Sequence, residues 1–346
     1  MLDNISLPPG FVIKVFASDV PNARQIAIGP KGVVFVGSRD AGNVYRVQDN
    51  DGDFIADETT IIASQLFMPS GVAYREGTLF IAEVHRVSAI EKPLARNPEA
   101  LTPKVVYDGL PSESHHGWKS IDFGPDGLLY VPVGAPCNVC EVKPPYGTIL
   151  QVDLNARTSQ VYASGIRNSV GFAWHPHTKK LWFSDNGRDW MGDDIPGCEI
   201  NRIDRPGQHF GFPYMHADGI ADGSFFDQEN LDITYPAKVL GAHVAPLGML
   251  FYTGNQFPPA YKNRLLVAQH GSWNRTRKVG YDLMMATLDE HGDVVEYESF
   301  ASGWRKGQSH WGRPVDIAML PDGSLLVSDD QAGVIYRISY QPESDK

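Results

Sequence analysis

Residues 124–134, GPDGLLYVPVG, read as a tight turn followed by a buried strand. Pro-Asp-Gly punctuates the chain, and the apolar run behind it is too short for a helix. The phrase recurs: GPKGVVFVGSRDAGNVYRV starts at Gly29, YREGTLFIAEVHRVSAI at Tyr74, HPHTKKLWFSDNG at His175, YKNRLLVAQHG at Tyr261 and LPDGSLLVSDDQAGVIYRI at Leu320. Several copies carry a second strand that ends near Arg-Val or Arg-Ile. The spacing begins at about 45 to 50 residues, the length of a four-stranded propeller blade, and lengthens before the fifth copy. Six such units predict an all-β chain, a six-bladed β-propeller of four-stranded antiparallel sheets. Residues 1–346 form one domain on this reading. The loops of such a ring converge on one axial mouth, where a ligand or cofactor would sit.

Working outward, Gly10–Ser18 (GFVIKVFAS) reads as a strand that completes the last sheet beside the phrase ending at Tyr340, so that the ring has no open edge. QPESDK, 341–346, reads as a polar, frayed tail. The stretch from Gly207 to Gly254 shows no clean alternation and reads mostly as loop, of the kind that shapes a mouth.

Composition narrows the functional classes. A chain of 346 residues with 42% apolar residues, 34 Gly and 25 Pro suits a large, turn-rich β core. A net charge of −11 with no basic run argues against a nucleic-acid or anionic-membrane surface. No segment approaches the roughly 18 apolar residues of a membrane span. The N-terminus, MLDNISLPPGF, lacks the charged and apolar regions of a signal peptide, which leaves a cytosolic chain or a mature sequence with an added Met. Of the three cysteines, Cys137 and Cys140 form a CxxC. With no second ligand pair nearby, this reads as a loop disulfide or two free thiols before it reads as a metal or redox site.

Six segments carry groups suited to chemistry. His115 and His116 stand before the third strand phrase, where a neutral imidazole can take a proton from a hydroxyl or simply be hydrogen-bonded in the channel. Arg167 and Asn168 could grip a carboxylate and a carbonyl oxygen, or tie two blades together. Asp185, Asp189, Asp193, Asp194 and Glu199 crowd one Gly-rich loop that could serve Ca²⁺ or be a solvated acidic turn. Asp49, Asp51, Asp53 and Asp57 alternate around Gly52 like the front of an EF-hand loop, with the Ile55 carbonyl at the seventh place. Thr60 stands where an EF-hand has its closing Glu, so a structural Ca²⁺ loop competes with an empty surface turn. Last, His270, Trp273, Asn274, Arg275, Arg277 and Lys278 follow one strand, and Arg313 and Asp316 flank the start of another. Such cations beside an aromatic suit a flat polyanion, though each is also at home on a surface.

In order along the chain, HHGWKSIDFGPDGLLYVPVGAPCNVC, GIRNSVGFAWHP, WFSDNGRDWMGDD, GQHFGFPY, HGSWNR and GRPVDIAMLPDGSLLVSDD resemble the glucose/sorbosone dehydrogenase family over roughly Leu7 to Tyr340. The resemblance is nearest to the L-sorbosone-dehydrogenase-like branch. It implies a quinoprotein that holds pyrroloquinoline quinone (PQQ) and Ca²⁺ at the axial mouth. It implies His116 as general base, and Arg167, Asn168 and Arg313 as cofactor contacts, with Trp273 and Arg275 beside them. The backbone carbonyls of Gly187 and Arg188 become calcium ligands. The implied substrate is an aldose, a sorbosone-like aldehyde or a related alcohol. The implied partner is an electron acceptor such as a cytochrome or quinone, and the implied location is periplasmic or secreted. The chain departs from the glucose-oxidising members in three places. Ala135 stands where they carry an acidic residue, Val315 where they carry a second Arg, and only Arg275 or Lys278 could replace their blade-five Lys. A Ca²⁺-dependent lactonase and a non-catalytic ligand-binding propeller are the alternatives that the same fold would host.

Overall fold

The computed structural model describes residues 1–96, 101–225 and 231–342. Within them there are six sheets in a ring, and the helical segments are short 3₁₀ turns such as Pro30–Gly32 and Pro259–Tyr261. Blades 1 to 6 open with the strands Ala23–Ile28, Gly71–Arg75, Asp122–Phe123, Phe172–Trp174, Pro246–Phe251 and Pro314–Met319. These first strands meet their neighbours around the axis. Among the described residues, no helix is long and apolar enough to cross a membrane.

The repeated phrase is the turn between the first and second strands, followed by the second strand itself. One backbone hydrogen bond closes it again and again: Gly29 N to Val33 O at 2.7 Å, Gly124 N to Leu128 O at 2.9 Å, His175 N to Lys180 O at 2.9 Å and Leu320 N to Ser324 O at 2.9 Å. These turns lie on one face of the ring. The segments that lead into the first strands, and the loops between second and third strands, lie on the other, and that face is the mouth.

Blade 6 joins the two ends of the chain. Phe11–Ala17 pairs antiparallel with Val334–Tyr340 in the register Phe11↔Tyr340 and Ile13↔Ile338. Phe11 is wedged edge-on against Phe257, Tyr261, Phe300 and Tyr340, with ring centroids 4.7 to 5.2 Å apart. Such edge-to-face contacts add to the burial of the ring itself. The expected closing strand is therefore present; of the expected frayed tail, residues 343–346 lie outside the described part of the chain.

The 207–254 stretch is mostly loop, as expected, but it also holds short strands that the reading missed. Lys238–Val239 forms the outer strand of blade 4, Pro246–Phe251 is the inner strand of blade 5, and Gln208–His209 pairs in parallel with Ala163–Ser164 on the edge of blade 3. The reason is burial: Pro246–Phe251 is covered on both faces, so its sequence runs apolar instead of alternating.

Candidate functional site

A cavity of about 570 Å³ opens at the mouth, within the usual size of a ligand pocket. It is walled by side chains from all six blades, among them Arg39, His116, Asn168, Gly187, Trp273 and Arg313.

His116 sits at the entry to blade 3 with φ at +51°, and only 9% of its surface is exposed. Its Nδ1 lies 2.8 Å from the Ala135 carbonyl oxygen. A carbonyl only accepts, so Nδ1 carries the proton and Nε2 keeps the lone pair. Burial, followed by the nearby Arg167 charge, pushes the imidazole down to about 2. The ring is thus neutral at every ordinary pH. Ala135 has no acidic group to offer, yet its backbone performs two tasks. Its carbonyl orients His116, and its N–H binds the Arg167 carbonyl at 2.8 Å.

Gly134 makes this approach possible. A Cβ there would lie 2.6 Å from the His116 Cβ and 2.9 Å from the His116 carbonyl oxygen. Gly134→Ala is expected to displace His116 and to lower stability by about 1–3 kcal/mol, the usual cost of overpacking. Denaturant unfolding alongside a turnover assay would check it; unchanged values in both would remove the steric argument.

Arg167 and Asn168 enter blade 4 with both backbone N–H groups on the buried Asp185 carboxylate, at 2.9 and 2.6 Å. The Arg167 fork is largely spoken for. Nε and Nη2 donate to the carbonyl and the side-chain oxygen of Asn138, both at 2.8 Å, Nη1 donates to the Asn186 carbonyl, and Asp189 lies 3.2 Å from Nη2. Arg167 thereby binds the loop of blade 3 that holds the Cys137–Cys140 disulfide to blade 4. Asn168 is different: its Oδ1 is buried with no partner, at the cavity wall. An orphaned buried acceptor of this kind costs about 1–3 kcal/mol until something donates to it.

Gly187 also lines the cavity, and behind it Asp185, Asn186 and Glu199 surround a void of about 10 Å³. Burial raises both carboxyls, Asp185 and Glu199. The Arg188 side chain is turned away into a salt bridge with Asp222, which leaves its backbone for any ligand role. Arg313 enters blade 6 and donates Nε and Nη2 to the carbonyls of His270 and Gly271, at 3.0 and 2.8 Å.

Other expected residues stand apart. Arg275 is engaged by Asp194 at 2.8 Å and by the Asp193 carbonyl, outside the cavity lining. The Asp49–Asp57 loop lies on the far face, between the third and fourth strands of blade 1. There Asp49, Asp51 and Asp57 bring carboxylate oxygens within 4.8 Å of one another, whereas Asp53 accepts from the Ile55 N–H at 2.7 Å.

Arg24, Arg39, Trp118 and His243 line the mouth without having been singled out by the sequence. Arg39 lies over the Trp118 ring at 4.4 Å, and its buried Nε has no acceptor. Arg24 pairs with Asp330 at 3.0 Å, and Asp330 also receives His270 at 2.8 Å. The available signal was positional: each of these residues lies on the same side of its blade's strands as His116.

Comparison with known proteins agrees with this geometry. The model of the family described as Glucose / Sorbosone dehydrogenase matches residues 82–337. An uncharacterized protein of Borreliella burgdorferi is 33% identical over 355 residues, covering 97% of this chain and 91% of the relative. The holo form of the pyranose dehydrogenase PQQ domain of Coprinopsis cinerea superposes with a TM-score of 0.79 at 16% identity, covering 97% of each chain. The PQQ-bound aldose sugar dehydrogenase of Streptomyces coelicolor does so with a TM-score of 0.69 at 19% identity, covering 96% of this chain and 99% of that one. At such identities these two likenesses are likenesses of fold.

Proposed function

We propose that this chain, which belongs to the glucose/sorbosone dehydrogenase family, is a PQQ-dependent dehydrogenase of a sugar or a related aldehyde. One observation carries the reading. His116, its Nδ1 on the Ala135 carbonyl and its free Nε2 at the cavity wall, shares that cavity with Asn168 and Arg313, one orphaned acceptor and one half-used guanidinium. The Coprinopsis and Streptomyces proteins, solved with PQQ, add support from fold.

The residues present fit the quinone. The cavity has the volume, the partly used Arg313 fork suits a carboxylate, and the Asn168 side chain can bind a ring N–H or, through its Nδ2, a carbonyl. Hard oxygens at Gly187, with those of Asp185 and Glu199 behind it, suit Ca²⁺. When bound, the quinone would supply the acceptor for the hydride, which carries both electrons removed from the substrate. The chain's own part is positional and acid–base. His116 Nε2 takes the proton of the substrate hydroxyl, or of an aldehyde hydrate, and Ala135 fixes the tautomer that makes this possible. Arg167 holds the blade 3 loop against blade 4, so that His116 and Asn168 keep their separation. Electrons then leave to an acceptor such as a cytochrome or quinone.

The test is reconstitution. Apo-protein given PQQ and Ca²⁺ is expected to acquire the absorption of bound quinone and to reduce a dye with aldoses or aldehydes. Lactone hydrolysis with Ca²⁺ alone, and no dye reduction with any sugar or aldehyde, would overturn the proposal. Calcium has its own readout. An ion bound only by the folded chain at about 100 times its Kd adds about 2.7 kcal/mol. A chelator is therefore expected to lower the melting temperature, and an unchanged melt together with calcium-free metal analysis would remove both proposed calcium sites.

A further inference from the structure

Trp190 and Trp273 are 69% and 64% exposed, although indoles belong among the buried side chains. They stand side by side on the rim of the mouth, ring centroids 5.5 Å apart and planes 85° from each other. Trp273 lines the cavity itself, so the pair continues the cavity wall outward.

The rim around them is built to stay still. Trp190 has φ at +72°, a conformation that costs a bulky side chain energy and persists only where its surroundings enforce it. The enforcement comes from both flanks. Asp189 receives the Arg167 guanidinium at 3.2 Å, and its N–H reaches Asn138 at 2.8 Å. His243 Nε2 donates to the Gly192 carbonyl at 2.8 Å. From blade 5, Asn274 reaches Asp189 at 3.3 Å, Thr276 N reaches Asp193 at 3.0 Å and Arg275 clasps Asp194 at 2.8 Å. The two loops are thus locked to each other with both indoles facing outward, and little ordering cost remains to be met when something binds them.

We propose that Trp190 and Trp273 form a platform for a second sugar ring, so that the substrate is a glycosidically linked oligosaccharide with its terminal unit in the cavity. The proposal rests on the sugar-dehydrogenase reading. The C–H face of a pyranose carries small positive partial charges that pack against the negative π face of an indole. Size points to the same occupant. A protein interface buries about 800 Å² on each partner, more than two indoles supply, whereas one indole face matches one pyranose.

Trp190→Ala tests it, because Trp190 is exposed and lies outside the cavity lining. The first measurement uses apo-protein and follows tryptophan fluorescence during titration with a linear glucose trisaccharide reduced at its end to an alditol. Trp190→Ala is expected to weaken this binding about tenfold, the factor of one good aromatic contact, and Trp190→Phe to restore most of it. The second uses enzyme loaded with PQQ and Ca²⁺: the variant is expected to raise KM about tenfold for a disaccharide and to leave a monosaccharide unchanged. Wild-type apo-protein that does not bind the trisaccharide overturns the platform. So does a variant altered only in its KM for the electron acceptor, which would make the pair an acceptor-docking patch. Trisaccharide binding that depends on Trp190, in a protein that oxidises no sugar, upholds the platform and overturns the dehydrogenase reading alone.

Discussion

Alanine in place of His116 is expected to lower sugar- or aldehyde-dependent dye reduction by about 10²- to 10⁴-fold, the usual loss on removing a general base, while the quinone still binds. The expectation rests on the ring's fixed tautomer. Nδ1–H is committed to the Ala135 carbonyl, so Nε2 alone is free to accept a proton. Burial pushes the imidazole down to about 2, which favours the neutral ring that a general base needs. Absorption of bound quinone in the variant, beside its turnover, separates loss of the base from loss of the cofactor. Full activity in His116→Ala would move the role to His115, whose ring lies 4.2 Å away and is exposed.

Asp330→Ala is expected to destabilise the fold by about 3–5 kcal/mol, because it strands a buried charge. The Arg24 side chain is 4% exposed and has Asp330 as its carboxylate, 3.0 Å away. His270, pushed down to about 4 by burial, is neutral at pH 7 and donates to the same carboxylate. Burial alone would raise Asp330, but His270, Arg24 and Arg313 outweigh it and hold the carboxyl well below the ordinary range. A depressed carboxyl stabilises the fold above its unfolded pKa, near 3.9, and that stabilisation fades as the pH falls further. Wild type should therefore lose more stability between pH 5 and pH 3 than Asp330→Ala does. Urea unfolding at both pH values measures this, and a variant within about 0.5 kcal/mol of wild type at pH 7 would show that the pair carries no weight.

The parts of the molecule that were legible in the sequence are the local ones. The blade turn recurs because a single hydrogen bond, as from Gly124 to Leu128, closes a turn with Pro at its second place in four of the blades. His116, Asn168 and Arg313 could be found because each occupies the same place, just before a first strand. The Arg24–Asp330 pair could not, since its partners are 306 residues apart and meet only when the ring closes. Nor does sequence spacing reveal which cations are already used. Arg167 reads equally as a ligand grip or a tie between two blades, and Arg275 as a ligand contact or a surface cation; the fold spends most of their donors on Asn138, Asp189, Asp193 and Asp194, so that Arg167 is the tie. The strands at Lys238–Val239 and Pro246–Phe251 were hidden for another reason: one is two residues long, and the other is buried on both sides.

The seam in blade 6 has a consequence for biosynthesis. Phe11–Ala17 leaves the ribosome before any blade is made, yet its partner, Val334–Tyr340, belongs to the sixth. Until then the opening strand has an unsatisfied edge, and Phe11 lacks the Phe257, Phe300 and Tyr340 rings that will bury it. Five blades can assemble as they emerge, but the circle is completed only once the last strand of blade 6 has emerged. A truncated product of this message is therefore an open arc, with a bare strand edge and an exposed phenylalanine at its start, the features by which quality control distinguishes an unfinished chain from a finished one.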